Sequence, residues 1–303
     1  MLILVYNVLN FVGGGTGFVG TRTNKLLRAS DYNVVNISRM PAANNISWTS
    51  LEASGLPSNT CAVVNLAGQQ FMDFTKIWTP GSVFKQNVLN SRVFTTRALA
   101  TAINKSKNKP KVFVLVTGVG AYEPSETNKY DESSPSTGND FFSKLLVEWE
   151  KAAYVDPPVI IRSGVVLGRE GGMIKNMILP FFFGLGGPIA SGKQFLPWIH
   201  IEDLTRLIQF SIENQEVKGI LNGVAPQVIT NVDFTKAFAK ALSRPAFFTV
   251  PEFVLNILLH KERAMMLTKG QHVTPKRTLE YGFQFKYPNI DAAGFHTLKI
   301  YYV

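Results

Sequence analysis

A glycine-rich turn near the start of the chain places the strongest constraint on the fold. The sequence GGTGFVG holds Gly14, Gly17 and Gly20 in the spacing G-x-x-G-x-x-G. In such turns the first glycine allows a tight bend, the second lets a pyrophosphate approach the backbone, and the third lets the helix pack on the strand. The phosphate lies at the helix N-terminus, where free N–H groups favour negative charge. An apolar run before the turn and an amphipathic stretch after it favour dinucleotide binding over a merely structural turn.

Two apolar runs precede this turn, although one short strand suffices to feed it. They are Met1–Val5 and Val8–Val12, and only the second abuts Gly13. A strand rises about 3.3 Å per residue and typically has about five residues. Val8–Val12 is therefore the predicted first strand, and its Asn10 would need hydrogen-bond partners once buried.

Short apolar runs alternate with amphipathic stretches along the chain. The runs are nearly continuous in apolar character, as strands covered on both faces of a parallel sheet should be. The predicted strands are Val8–Val12, Asn33–Ser38, Ala62–Leu66, Val112–Thr117, Val159–Ser163 and Ile220–Gly223. The predicted helices are Phe18–Ala29, Ser82–Ser106 and Phe141–Ala153. This alternation indicates an α/β fold with a doubly wound parallel sheet.

The amino-acid composition changes after Arg162, where the predicted loops become rich in glycine and proline. Helix-like segments follow, the first capped or opened by Asp203 and the second capped by Thr230 or Asn231. We therefore predict a nucleotide-binding domain over residues 1–165. Residues 166–303 would form a mixed region with a small, mainly helical C-terminal substrate part that closes a cleft over the strand ends.

Composition excludes several classes of protein. The single cysteine, Cys61, rules out a disulfide framework and indicates an intracellular protein, cytoplasmic or mitochondrial and not secreted. The net charge is +10, but the cations are scattered, so we expect no nucleic-acid partner. The longest apolar stretch is interrupted by Pro180 and is too short to span a membrane, and we expect no membrane partner. No cluster has metal-ligand spacing, and the oligomeric state stays open.

Residues after two strands and on the helix that follows predict the type of nucleotide. The second strand ends in Ser38 and Arg39 rather than an acid, which favours the 2′-phosphate of NADP over NAD unless Arg39 is only a loop cation. The small residues of Asn65–Gly68 would let a cofactor lie against the backbone. Asn87 and Arg92 share the next helix. As part of the cofactor site, a buried Asn87 could tie strands together at the sheet edge of that site and Arg92 could reach a phosphate, or both could be solvated.

The motifs GGTGFVG, NLAG, RSGVVLG and WIHIEDL, in this order and spacing, resemble those of the extended short-chain dehydrogenase/reductases. The strings LNGVAPQVITNVDF and GQHVTPKRTLEYGFQFKYP are most similar to the atypical epimerase-family branch, family 39U. The resemblance covers nearly the whole chain and implies a Rossmann fold that binds NADP. The residues it places near the cofactor are Gly14, Thr16, Gly17, Phe18, Val19, Ser38, Arg39, Leu66, Ala67, Arg92 and Val166.

The same resemblance marks the N-terminus as a departure. Relatives pass directly from a Met-led apolar run into GGGTG, whereas here YNVLNFV is inserted between the two. Met1–Asn7 would then be a displaced copy of strand-like sequence. We predict that deleting Tyr6–Val12, which restores MLILVGGGTG, stabilises the protein; a lower melting temperature or weaker NADPH binding would contradict this.

The catalytic residues depart from the superfamily pattern. Its members use a Ser or Thr, a Tyr and a Lys, the last two as Y-x-x-x-K, with the Lys lowering the pKa of the Tyr. Here Lys144 fits the Lys position, but Asp140 stands where the Tyr belongs. Thr117 is the nearest substitute for the Ser, and Tyr122 is a phenol in the neighbouring loop. Each of Tyr122 and Lys144 has a packing or surface role as its alternative.

Two functions follow from this departure. The first is an NADP(H)-binding oxidoreductase or epimerase with an altered acid/base group, acting on a small carbonyl, hydroxyl or sugar-like substrate. The second is a non-catalytic NADP(H)-binding sensor or partner-binding module. The missing Tyr favours the second function, and the aromatic-lined substrate part favours the first.

Overall fold

The computed structural model describes residues 9–39, 45–71, 81–137 and 139–293. Its centre is a parallel sheet of seven strands, β1 to β5, β7 and β10, in the order β10-β7-β5-β4-β1-β2-β3. These strands are β1 (Leu9–Gly13), β2 (Asn33–Ile37), β3 (Asn45–Ile46), β4 (Thr60–Asn65), β5 (Val112–Gly118), β7 (Val159–Ser163) and β10 (Gly219–Gly223). The doubly wound α/β fold is confirmed.

Two short pairs of parallel strands lie outside this sheet. They are β6 (Lys129–Tyr130) with β11 (His272–Val273), and β8 (Val165–Leu167) with β9 (Trp198–His200). At two or three residues each, they are too short for an apolar pattern to reveal. They join the C-terminal part of the chain to the loops that follow β5 and β7.

The helices flank the sheet and build the C-terminal part. They are α1 (Phe18–Ala29), α2 (Trp48–Ser54), α3 (Gly81–Leu89), α4 (Thr95–Lys105), α5 (Phe141–Lys151), α6 (Gly172–Phe182), α7 (Ile201–Glu213), α8 (Asn231–Leu242), α9 (Glu252–Thr268) and α10 (Lys276–Glu280). The predicted helix Ser82–Ser106 is α3 and α4, joined by a π-helical turn, Asn90–Phe94. Such turns are often found at functional sites.

Strand β1 settles which apolar run feeds the glycine turn. It ends at Gly13, directly before the turn, and Leu9, Phe11 and Val12 are buried in the core. The run that ends at Val12 is therefore the strand, while Met1–Val8 lies outside the described residues. Asn10 is fully buried, as the position of the strand predicts, and neither of its side-chain polar atoms has a hydrogen-bond partner among the described residues.

Strand order fixes where a ligand can bind. The chain proceeds outward from β1 to β2 and β3 on one side, and to β4, β5, β7 and β10 on the other. The order reverses between β1 and β4, and ligands of open α/β sheets bind in the crevice at the carboxyl ends of strands at such a switch point. Gly13 and Asn65, which end these two strands, pair in register there. The boundary between residues 165 and 166 stays a prediction.

Candidate functional site

The glycine turn tolerates no side chain at its first position. Gly14 has φ +74°, and a Cβ on it would lie 2.8 Å from backbone atoms of Leu66 and Ala67. A Cβ on Gly20 would lie 2.4 Å from the carbonyl oxygen of Gly14. The turn is therefore held against the end of β4 by close backbone contact, which explains the glycines physically.

The start of α1 is open to an anion. Gly17 is the N-cap residue and offers no side chain to the first N–H groups, and the first turn contains no acid. The dipole and unpaired N–H groups of such an end attract phosphate. Thr16 and Gly17 are exposed, whereas the ring of Phe18 packs within 3 Å of where a Cβ on Gly168 or Gly171 would lie. Phe18 thus contributes its backbone, and its ring fixes the helix.

The end of β4 is fastened by a residue that the motif alone did not single out. Asn65 is fully buried; its Oδ1 accepts from Ala67 N at 3.0 Å, and its Nδ2 donates to Thr96 Oγ1 at 2.8 Å. Leu66 N donates to Gly13 O at 2.8 Å. These bonds fix Leu66 and Ala67 beside the glycine turn, as a cofactor-binding role requires.

At the tip of β2, Ser38 is buried and Arg39 is exposed. A solvated guanidinium at this tip suits a 2′-phosphate, and among the described residues no carboxylate stands at the tip to repel one. The residues that fit a nucleotide therefore lie along the switch point, from the tip of β2 past the glycine turn to the end of β4.

Arg92 is a buried cation in the π-helical turn. It is 5% exposed, its Nη2 donates to Gln69 O at 2.7 Å, and its Nε has no hydrogen-bond partner within the described residues. The guanidinium carbon lies 4.0 Å from the ring centre of Phe71 and 5.2 Å from that of Trp149. Among the described residues no carboxylate pairs with it, and burial lowers the pKa of Arg92 to about 9.

Asn87 does not share this setting. The sequence analysis considered a buried Asn87 that ties strands together, but its side chain lies on the exposed face of α3. The buried residues of this helix are Phe84 and Val88, so helical periodicity turns Asn87 toward solvent. The prediction that a buried Asn87 ties strands together is therefore wrong, because Asn87 is exposed.

A cleft of about 440 Å³ opens beyond the carboxyl ends of β5 and β7. Val19, Arg92, Thr117 and Val166 all line it, which places part of the predicted cofactor set and one predicted catalytic residue on one surface. Much of the remaining wall is apolar and includes Phe71, Phe141, Phe142, Trp149, Met265 and Met266. Met265 and Met266 come from α9, so the C-terminal part closes the cleft from the side opposite the sheet.

Thr117 belongs to a buried polar chain under this cleft. Its Oγ1 donates to Glu150 Oε1 at 3.1 Å, and Arg162 holds the same carboxylate through Nε at 2.9 Å and Nη2 at 2.7 Å. Burial by itself would lower the pKa of Arg162, but the hydrogen bonds and charge of Glu150 raise it. Thr117 and Arg162 are register neighbours on β5 and β7, so the sheet itself positions both groups.

Tyr122 is a core residue rather than a wall of the cleft. It is fully buried, donates to Asn222 Oδ1 at 2.9 Å and stacks on Tyr130 at 5.2 Å. Burial raises the pKa of its phenol, which is opposite to what a catalytic tyrosine needs. The proposal of a catalytic Tyr122 is therefore corrected to packing.

Lys144 also lies away from the cleft. Its side chain is exposed on α5, while Ser143, Leu146 and Trp149 of the same helix line the cleft. Asp140, which stands in the place of the superfamily Tyr, is the N-cap of α5 and accepts from the backbone N–H groups of Phe142 and Ser143. Lys144 N donates to Asp140 O at 3.1 Å, so the two positions keep the spacing of Y-x-x-x-K, but position 140 carries no phenol. The Lys144 side chain is exposed and does not line the cleft, so a catalytic Lys144 is corrected to a surface residue.

His200 and Asp203 serve the fold. His200 caps α7, accepting from Glu202 N through Nδ1 at 3.2 Å, so the cap expected of Asp203 belongs to His200 instead. Asp203 is fully buried and accepts from the backbone N–H groups of Lys286 and Tyr287, both at 2.8 Å. It fastens the C-terminal segment to α7.

Two features of the described residues bear on other types of site. No group of His, Cys, Asp and Glu side chains in that part of the chain could hold a metal ion. No helix there is long and apolar enough to cross a membrane.

Comparison with known proteins gives consistent matches. The family model described as NAD dependent epimerase/dehydratase family matches residues 11–222, and a domain of unknown function, DUF1731, matches residues 250–293. Epimerase family protein SDR39U1 of Homo sapiens is 48% identical over 286 residues, covering 93% of this chain and 97% of that protein. The Bos taurus protein of the same name is 48% identical over 287 residues, with the same two coverages.

Solved structures extend the comparison. The crystal structure of human epimerase family protein SDR39U1 (isoform 2) with NADPH has a TM-score of 0.94 at 46% identity, covering 97% of this chain and 100% of that chain. A nucleoside-diphosphate sugar epimerase from Corynebacterium glutamicum has a TM-score of 0.76 at 24% identity, covering 97% of this chain and 59% of that one. The second likeness concerns the fold alone.

Proposed function

This chain belongs to the NAD dependent epimerase/dehydratase family, and from that premise we propose that it binds NADP(H) and catalyses hydride transfer at a carbinol or carbonyl carbon of a small substrate. The observation that carries the proposal is the continuity of the site. The cleft that contains Thr117 is also lined by Val19 of α1 and Val166 of β8, beside the glycine turn.

The chain's own residues fit the nucleotide. The turn at Gly14 excludes side chains, the first turn of α1 is uncapped, and Arg39 is exposed at the tip of β2. Arg92 supplies a buried positive charge that lacks a carboxylate among the described residues. The NADPH in the human relative's structure supports the same cofactor. When bound, its nicotinamide accepts or returns a hydride.

Thr117 and Glu150 supply the proton path in place of the missing Tyr–Lys pair. In the oxidation direction the substrate hydroxyl gives its proton to Thr117 Oγ1 as Thr117 gives its own proton to Glu150 Oε1. The carboxylate becomes a carboxylic acid, and the reverse transfer serves reduction. Arg162 holds Glu150 in place through two hydrogen bonds, so the relay is fixed before a substrate arrives.

Turnover tests this proposal directly. Secondary alcohols with NADP⁺, and carbonyl compounds with NADPH, are screened by absorbance of the reduced cofactor. For the first active compound, Thr117→Val should lower kcat by at least about 100-fold, the usual scale of positioned acid/base catalysis, whereas Thr117→Ser should retain most of it. Thr60→Val is the matched control, because Thr60 is a buried strand threonine at the opposite end of the sheet. Unchanged kcat in Thr117→Val would refute the relay.

The second candidate is a non-catalytic NADP(H) sensor. It is favoured by one observation: Tyr122 and Lys144 both lie outside the cleft lining. Tight NADPH binding with no turnover across the screen, and wild-type NADPH affinity in Thr117→Val, would support it over the catalytic function.

A further inference from the structure

The hydroxyl groups of the cleft wall share one unusual property. Thr117, Ser143 and Ser163 line the cleft, and each donates its proton to an acceptor inside the protein. Thr117 donates to the Glu150 carboxylate at 3.1 Å, Ser143 to the Asp140 carboxylate at 2.5 Å, and Ser163 to the carbonyl oxygen of Gly164 at 2.8 Å.

The direction of these three bonds follows from chemistry. Carboxylate and carbonyl oxygens only accept hydrogen bonds, so the hydroxyl must donate in each pair. A hydroxyl has one proton and two lone pairs, and here the proton is already engaged. A ligand that reaches any of these three groups therefore meets an acceptor.

The charged groups near the cleft are largely engaged as well. Asp140 accepts from the N–H groups of Phe142 and Ser143, and Glu262 pairs with Lys85 at 2.7 Å. Arg92 and Lys269 are the cations among the described lining residues, and the proposed function assigns Arg92 to the cofactor. A diphosphate-bearing substrate would find little positive charge left to bind it.

The remaining surface suits a hydrocarbon body. Phe71, Phe141 and Phe142 form an edge-to-face cluster. The ring centre of Phe142 lies 5.1 Å from that of Phe71 and 5.2 Å from that of Phe141. Met265 and Met266 face the same cleft from α9. Aromatic and thioether surfaces of this kind bind apolar groups through burial of their area.

We propose that the cleft takes an uncharged, apolar alcohol, a hydrocarbon ring or chain that carries a hydroxyl, rather than a nucleotide sugar. The proposal rests on the proposed function for the identity of the site and goes beyond it in naming the substrate class. The hydroxyl donates to the lone pairs of Thr117, and the hydrocarbon body lies against the aromatic cluster.

The test measures binding where no hydride can move. Protein saturated with NADP⁺ is titrated by calorimetry with 2-phenyl-2-propanol, a tertiary alcohol that cannot be oxidised, and with acetophenone, a ketone that is already oxidised. The alcohol should bind about tenfold more tightly than the ketone, and UDP-glucose more weakly than either. Thr117→Val should abolish the preference for the alcohol, and Thr60→Val should keep it.

Three binding results would overturn the proposal. Equal or tighter binding of acetophenone would show that the hydroxyls donate to the ligand. Tighter binding of UDP-glucose, or no binding of either phenyl compound, would exclude the apolar class. Oxidation of 1-phenylethanol by NADP⁺ is followed separately. Binding of the alcohol without this turnover would count against hydride transfer alone, whereas turnover with a preference for the ketone in binding would count against the substrate class alone.

Discussion

Two buried arginines, one in the cleft wall and one beside it, differ in how the protein compensates their charge. Arg162 is 1% exposed and is held by the carboxylate of Glu150, which raises its pKa. Arg92 is 5% exposed, donates to neutral oxygens and lies over aromatic rings, and burial lowers its pKa to about 9. A buried charge is costly unless it is paired. Arg162 is therefore paired with a carboxylate of the fold, although its Nη1 has no hydrogen-bond partner among the described residues. Arg92 has no carboxylate partner among those residues, and we propose that it serves an anionic group of the cofactor.

The largest expected effect comes from breaking the satisfied pair. Arg162→Met leaves the Glu150 carboxylate partly buried without its cation, which should lower the free energy of unfolding by about 3–5 kcal/mol. Urea denaturation measures the loss. Lys240→Met is the control, because Lys240 and Asp291 form an exposed pair at 3.6 Å, whose loss should cost less than about 1 kcal/mol. Equal losses would mean that Glu150 does not need Arg162.

Asn10 extends the comparison to an uncharged group, because it is buried inside β1 rather than in the cleft and its side chain has no hydrogen-bond partner in the part of the chain that the structure describes. Asn10→Ile should raise the free energy of unfolding by about 1–3 kcal/mol, since an unsatisfied amide is removed. NADPH affinity should stay unchanged. A loss of stability in thermal and urea unfolding would show that Asn10 contributes to the native state.

Arg39 gives the exposed counterpart of Arg92. Arg39→Ala should weaken NADPH binding by about tenfold and leave NADH binding unchanged, because a single charge-assisted contact to the 2′-phosphate is lost. Fluorescence titration with both nucleotides measures the two affinities. A preference of the wild-type protein for NADH would refute the role of Arg39.

The smallest expected effect on stability is that of Arg92→Met. Replacing a buried charge that has no carboxylate partner among the described residues by an apolar side chain of similar length should change the free energy of unfolding by less than about 1 kcal/mol in either direction. The contrast with Arg162→Met, measured in the same urea series, tests the comparison itself. A loss as large as that of Arg162→Met would mean that Arg92 is also a structural residue.

The fold and the nucleotide-binding part of the site could be predicted because the sequence patterns that indicate them are local. Glycine spacing, apolar strands and turn residues lie within a few positions of one another, and the end of the first strand is confirmed at the turn. The family resemblance is confirmed by the relatives, and the NADPH in the human structure agrees with the predicted cofactor.

The residues of the proposed proton path could not be predicted in the same way. Thr117 and Glu150 are 33 residues apart and meet only because α5 packs beside β5. The motif placed Lys144 at the site, but helical spacing was the better guide: Ser143, Leu146 and Glu150 share a face at intervals of three and four residues. Asp140 stands where the superfamily has its catalytic Tyr, and in the structure it is the N-cap residue of α5.

The most direct measurement is the affinity for NADPH of Arg92→Met against wild type, as a function of pH. We expect a Kd at least about tenfold weaker for Arg92→Met at pH 7, because one buried charge that faces the anion is lost. Since burial lowers the pKa of Arg92, the difference between the two Kd values should narrow toward high pH. Equal Kd values of the two proteins at pH 7 would contradict the proposal that Arg92 binds an anionic group of NADPH.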